Sequence, residues 1–189
     1  MSNFFCVGNG RSRKGLNLDF FKEYGTVVGC NAIYRDYTPD FLVSNDVVIS
    51  HEIYRSGYCE NNTTYLTEWY ILPSESLDGF IAEVQNGVYC PNLNMEFTEN
   101  LHRDFVISGE KDQTFITGLT PTDRVINIDN DLQLSCGILS INIVSKLENV
   151  TDIYLIGHDL YSNDNKFNNI YADTNCYASS ESDAVNCKN

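Results

Sequence analysis

Four short stretches of this chain carry the small, amide, carboxylate and phenol groups that hold polar ligands: Gly8-Asn9-Gly10-Arg11-Ser12, Asn31, Asn45-Asp46 and Gly157-His158-Asp159-Leu160-Tyr161. The first follows an apolar run, Phe4–Val7, and is backed by Arg11, Arg13 and Lys14. A turn without bulky side chains lets a phosphate or ribose lie against backbone N–H groups. The same residues would equally serve a tight strand-to-helix turn whose glycines supply only positive φ. His158 is the histidine best placed to move a proton near neutral pH, or it is a loop histidine that packs beside a sheet. Asp159 is a candidate catalytic carboxylate, or a residue that accepts neighbouring N–H groups and orients its loop. Asp46 could reach a metal through phosphates, but no second carboxylate motif accompanies it. His51 reads as a surface or satisfied side chain.

The elements that must position these residues alternate. Phe4–Val7, Thr26–Cys30, Phe41–Ser44, Thr67–Leu72, Val125–Ile128 and Asp152–Ile156 read as strands, the last as buried on both faces with Tyr154 packed. Leu16–Tyr24 reads as an amphipathic helix with Leu16, Phe20 and Tyr24 on one face, stopped by Gly25. Val47–Arg55 reads as a helix closed by Gly57, and Gly137–Leu147 as one with Ile138, Ile141, Val144 and Leu147 repeating every three residues. The order predicts an α/β, Rossmann-like fold: a mostly parallel sheet with helices on both faces in a single domain, 1–189. Within it lie a loop-rich insertion at about 58–130 and a polar C-terminal loop at 162–189, placed to order over a ligand. Ligands of such sheets bind beyond the carboxyl ends of the strands, where all four stretches fall.

Composition narrows the partners. Twelve Lys+Arg against 26 Asp+Glu give a net charge of −14, which repels a polyphosphate backbone and argues against nucleic acid. Seven cysteines, scattered and without a C-x-x-C pair, argue against a disulfide framework or a zinc site. No apolar run approaches 18 residues and no leader pattern opens the chain. The expectation is a reduced, soluble, cytoplasmic protein without a transmembrane segment; its oligomeric state is not legible.

Gly8-Asn9-Gly10-x-Ser12, then Cys30-Asn31-x-x-Tyr34, then a strand ending in Asn45 resemble the bacterial sialyltransferases with their G-N-G-P-S motif. Cys136-Gly137 before a helix, and Ile153-Tyr154-Leu155-x-Gly157-x-Asp159-x-Tyr161, are similar to that family's later blocks in the same order. Pro39-Asp40-Phe41-Leu42-Val43-Ser44-Asn45-Asp46 also resembles a strand of the flagellin-modifying glycosyltransferase-like and pterin pyrophosphokinase-like proteins. The resemblance implies a nucleotide-sugar site working without a metal or cofactor, the donor being CMP-sialic acid in the sialyltransferases and the acceptor a glycan or small molecule. Carried over, Asn9, Ser12 and Asn31 would contact ribose and phosphate, and Asn45 the sugar or base side, with Gly8 and Gly10 as donor-binding positions of the same loop. Cys136 and Gly137 would touch the donor, Gly157 is a further donor-binding position, and Tyr161 would donate to the leaving phosphate. The chain departs from the pattern at Arg11 (a proline in the motif), Cys136 (a serine), Gln133 (an arginine) and Phe167 (a second tyrosine). The family's general base is a histidine after the D-x-Y block, whereas here the histidines are His51, His102 and His158.

Three functions therefore stand. The first is a sialyltransferase-like glycosyltransferase using a cytidine nucleotide donor by direct displacement, with His158 and Asp159 as the candidate catalytic pair. The second is a nucleotide-binding or interaction protein that keeps the fold without catalysis. The third is a pyrophosphokinase-like phosphoryl transfer needing Mg²⁺ at residues such as Asp46 or Asp159.

Overall fold

A computed structural model describes residues 2–67, 69–72, 105–108, 113–117, 124–128 and 130–184. Most of the 58–130 segment, His102 and the last five residues of the 162–189 loop lie outside them. The chain forms two compact units, Met1–Val43 with Gln133–Asn189, and Ser44–Leu132.

The first unit is built on four parallel strands in the order β3-β2-β1-β9: β1 (Ser2–Val7), β2 (Thr26–Cys30), β3 (Phe41–Ser44) and β9 (Val150–Ile156). Phe5 lies in register with Val27 on one side and Tyr154 on the other. Adjacent residues of a strand face opposite sides of the sheet, and both sides are covered. Phe5 meets Phe21 of the short helix α1 (Asp19–Lys22), ring centroids 5.0 Å apart. Cys6 faces α4 (Cys136–Ser145), where it bonds Ser140. Burial on two faces explains why Phe4–Val7 and Val27–Cys30 are apolar without alternation. The Rossmann-like α/β class read from the sequence is what the structure has.

Three local readings are corrected. The Leu16–Tyr24 helix shrinks to α1, and Leu16, Phe20 and Tyr24 are exposed. The Asn17 side chain accepts the Asp19 N–H (3.1 Å), so the helix starts late and buries Leu18 instead. On α4 the buried residues are Cys136, Leu139, Ser140 and Val144. A three-residue repeat drifts about 60° per step around a helix of 3.6 residues per turn, so Ile138 and Leu147 leave the core side. Finally β9 is last in its sheet order and pairs with β1 alone among the described residues. It is therefore not buried on both faces: Tyr154 is 45% and Leu155 55% exposed, although Tyr154 stacks on Phe5 (5.0 Å).

The second unit holds α2 (Val47–Arg55), α3 (Tyr58–Asn61) and strands β4 (Thr64–Thr67), β5 (Trp69–Leu72), β6 (Phe105–Ser108), β7 (Gln113–Thr117) and β8 (Val125–Ile128). The expected Thr67–Leu72 strand is thus two, β4 parallel to β8 and β5 parallel to β7, with β6 antiparallel to β7. Ile49 and Ile53 give α2 its buried stripe, and Gly57 closes it at φ +76°. No described helix is long and apolar enough to cross a membrane.

Candidate functional site

In the first unit the chain runs β1→β2→β3 outward and returns to place β9 on the far side of β1. Strand order therefore reverses between β1 and β9, and such reversals open a crevice at the carboxyl ends. A cavity of about 270 Å³ lies there. Its walls are Gly8–Gly10 after β1, Cys30 and Asn31 at the end of β2, Ser135–Ile138 at the start of α4, Gly157–Leu160 after β9, and Asn168 and Asn169 from the tail.

The glycine loop braces this crevice and does not cradle an anion. Gly8 N–H donates to Ile156 O (2.8 Å) and Gly10 N–H to Gly157 O (2.9 Å). Arg11 N–H donates to Asn168 Oδ1 (2.9 Å), and Ser12 N–H to Asp159 Oδ2 (3.0 Å). Four of the loop's donors are thus spent on β9 and the tail. Neither Gly8 nor Gly10 has positive φ; they are needed because the two loops touch. A Cβ on Gly8 would lie 2.6 Å from Gly157 O, and one on Gly10 2.7 Å from the same atom. Asn9 is spent as well, its Nδ2 donating to Cys30 O (2.9 Å) and its Oδ1 accepting from Arg13 Nη2 (3.2 Å).

Of the basic cluster behind the loop, Arg13 is spent internally and Arg11 and Lys14 are exposed. Arg13 is 5% exposed and reaches Tyr171 OH (3.0 Å), which donates in turn to Asp36 Oδ1 (2.5 Å). Arg11 turns outward toward Asp164, 3.8 Å away. The tail therefore orders on the protein itself. Tyr171 is buried, Arg35 holds Thr174 Oγ1 (2.8 Å) and Asn175 O (2.9 Å), and Ile170 N–H donates to Asn9 O (2.9 Å).

His158 and Asp159 separate in role. Asp159 accepts both the N–H and the hydroxyl of Ser12. Burial raises its pKa, but those bonds, with Asn168 and His158, outweigh it and hold the carboxyl below its usual value. It orients the β1 loop. The His158 Nε2 lies 3.1 Å from Cys6 O; a carbonyl can only accept, so Nε2 bears the proton and Nδ1 is the basic nitrogen. Burial lowers the His158 pKa more than Cys6 O and Asp159 raise it, so the ring is neutral at pH 7. Its Nδ1 edge sits against Gly137, whose added Cβ would fall 3.0 Å from Nδ1 and Cε1.

The open donors are at α4. Ser135, the residue before the helix, makes no side-chain cap, and no acidic residue occupies the first turn. The first N–H groups of a helix have no intrahelical partner, and two of the residues that carry them, Gly137 and Ile138, line the cavity. Asn31, at φ +48°, adds a buried Oδ1 with no hydrogen-bond partner among the described residues. Cys136 donates Sγ–H to Val43 O (3.0 Å).

Gly8, Asn9, Gly10, Asn31, Cys136, Gly137, Gly157, His158 and Asp159 are thus brought together. Ser12 touches the site only through Asp159. Tyr161, 68% exposed, is not in the lining. Asn45 belongs to the second unit, as does Asp46, whose Oδ1 accepts the Ile49 N–H (3.2 Å) at the start of α2. Sequence reasoning missed Asn168, Asn169 and Ser135 as lining residues; the cluster of asparagines in the tail was their one visible signal. Among the described residues no group of three or more His, Cys, Asp or Glu side chains is arranged to hold a metal. Compared with known proteins, the chain matches no family model, no curated protein and no solved structure.

Proposed function

We propose that the first unit binds a nucleotide sugar in the β1/β9 crevice and that the chain is a sialyltransferase-like glycosyltransferase with a cytidine nucleotide donor, acting without a metal. The observation that carries this reading is the uncapped start of α4 opening on a cavity at the switch in strand order. A phosphate seated on the Gly137 and Ile138 N–H groups would gain from two donors that have no partner within the helix and from the positive end of a ten-residue helix. Among the described residues the lining holds no Lys or Arg, so a single phosphodiester suits it better than a diphosphate.

In the direct displacement, an acceptor hydroxyl attacks the anomeric carbon and the bond from that carbon to the phosphate oxygen breaks. The helix N-terminus stabilises the charge that collects on the departing phosphate. His158 Nδ1, neutral at pH 7, takes the acceptor's proton.

The test is thermal stability against CMP, CDP, UDP, GDP and ATP, each with EDTA or with Mg²⁺. Stabilisation by CMP in EDTA supports the reading. Stabilisation by ATP with Mg²⁺ alone moves the assignment to phosphoryl transfer, and stabilisation by none sinks both. A second reading, nucleotide binding without catalysis, is favoured by the engagement of Asp159 with Ser12 and by the outward position of Tyr161. Donor hydrolysis by a CMP-binding protein would eliminate it.

A further inference from the structure

Below the cavity three thiols converge where β1, β2 and α4 meet. Cys6, Cys30 and Cys136 are all buried and reduced, and Cys30 and Cys136 also form part of the cavity wall. Cys30 Sγ–H reaches the Cys136 carbonyl at 3.7 Å, while the Cys136 thiol donates to Val43 O at the neighbouring strand end. The Cys30 sulfur thus lies 3.7 Å from the Cys136 backbone, and a disulfide forms when the Cys136 side chain turns from Val43 O toward it.

The three thiols differ in reactivity. The Cys136 side chain lowers the Cys30 pKa more than burial raises it, with Ser140 and Arg13 adding to the lowering. Burial pushes the Cys6 thiol up to about 11, and Cys6 takes no part in the cavity lining. Thiolate character and access decide which cysteine reacts; Cys30 and Cys136 both border the cavity, and the lowering at Cys30 makes it the attacking partner, with Cys136 beside it to resolve the product.

We propose that Cys30 and Cys136 are a peroxide-sensitive pair that forms a reversible disulfide in the wall of the cavity. The Cys30 thiolate attacks hydrogen peroxide, forming an S–O bond as the O–O bond breaks, and gives a sulfenic acid and hydroxide. Hydroxide takes up the proton that Cys30 lost. The Cys136 thiol then attacks that sulfur; the S–S bond forms, the S–O bond breaks, and the hydroxyl leaves as water with the Cys136 proton. Two thiols lose two electrons together and one peroxide becomes two waters. The disulfide would pin the first residue of α4 to the end of β2, so oxidation alters the crevice whatever ligand it takes.

The experiment uses the wild-type chain. It is exposed to hydrogen peroxide, its remaining thiols are alkylated, and non-reduced peptides are mapped by mass spectrometry, with exposed Cys176 as an internal control. The expected product is a linked pair of peptides containing Cys30 and Cys136 that separates on reduction. Either Cys30→Ser or Cys136→Ser removes it and Cys176→Ser leaves it. Oxidation of Cys176 while Cys30 and Cys136 remain alkylatable would overturn the proposal, as would a link from Cys30 to Cys6. Because the mapping needs no variant, a serine substitution that fails to fold does not obscure the outcome, and no nucleotide enters the assay.

Discussion

The loop after β1 and the start of α4 border the same cavity, and both present glycine and backbone N–H groups. In the loop, the N–H groups of Gly8, Gly10, Arg11 and Ser12 are committed to β9, Asn168 and Asp159. At α4 the residue before the helix leaves the first turn uncapped. One segment holds the crevice in shape and the other has donors to offer. A glycine-rich turn becomes an anion site only when its N–H groups are left over, and only the partner strand decides that.

The sharpest way to break the distinction is to add a methyl group to the loop. Gly8→Ala or Gly10→Ala places a Cβ under 3 Å from Gly157 O, and should destabilise the chain by about 1–3 kcal/mol or more in denaturant melts. An unchanged midpoint would mean that the loop does not brace β9. Next in size is Tyr171→Phe, which removes the hydroxyl joining Arg13 to Asp36. The expected loss is about 1–3 kcal/mol, and with it should come faster proteolysis of the 162–184 tail. A tail as resistant as wild type would place its anchorage elsewhere.

Gly137→Ala should behave in the opposite way. Alanine in a helix is favoured over glycine by up to about 1 kcal/mol, offset by the crowding of His158, so the melting midpoint should stay within a few degrees. Binding measured by calorimetry should fall, because the added methyl and the displaced imidazole narrow the seat. Equal loss of stability and binding would erase the contrast between the two segments. The smallest effect is the pH response of His158. Its folded pKa lies below the ordinary 6.5, so the unfolded chain binds the extra proton first. Stability should therefore rise with pH up to about 6.5 and level off above it. His158→Gln should flatten that part of the profile.

Much of the fold is legible from residue types alone. Apolar β-branched runs ending in Gly or Asn mark β2 and β3 at their observed bounds and β1 at its carboxyl end, two residues short of its start, because strands buried on two faces need no alternation. The helices read less well where a single polar side chain decides their start, as Asn17 does for α1. The crevice was legible as a set of strand ends, since parallel strands bring their carboxyl ends to one edge. The direction of each side chain was not. That Arg13 points inward to Tyr171, or that Asp159 is taken by Ser12, depends on contacts between residues far apart in the chain. Asn168 and Asn169 carry no local pattern that distinguishes lining residues from other polar tail positions.

The bonds from Ser12 to Asp159 and from Arg11 to Asn168 join residues 147 and 157 positions apart. Contacts of such long sequence separation form late and slow folding, because the intervening chain must be closed into a loop before they add any stability. On a ribosome, β1 and its glycine loop are made well before β9 and the tail and wait for them. Until those arrive, the donors of Gly8 and Gly10 have only water for partners. The cavity is therefore among the last features of the protein to take shape.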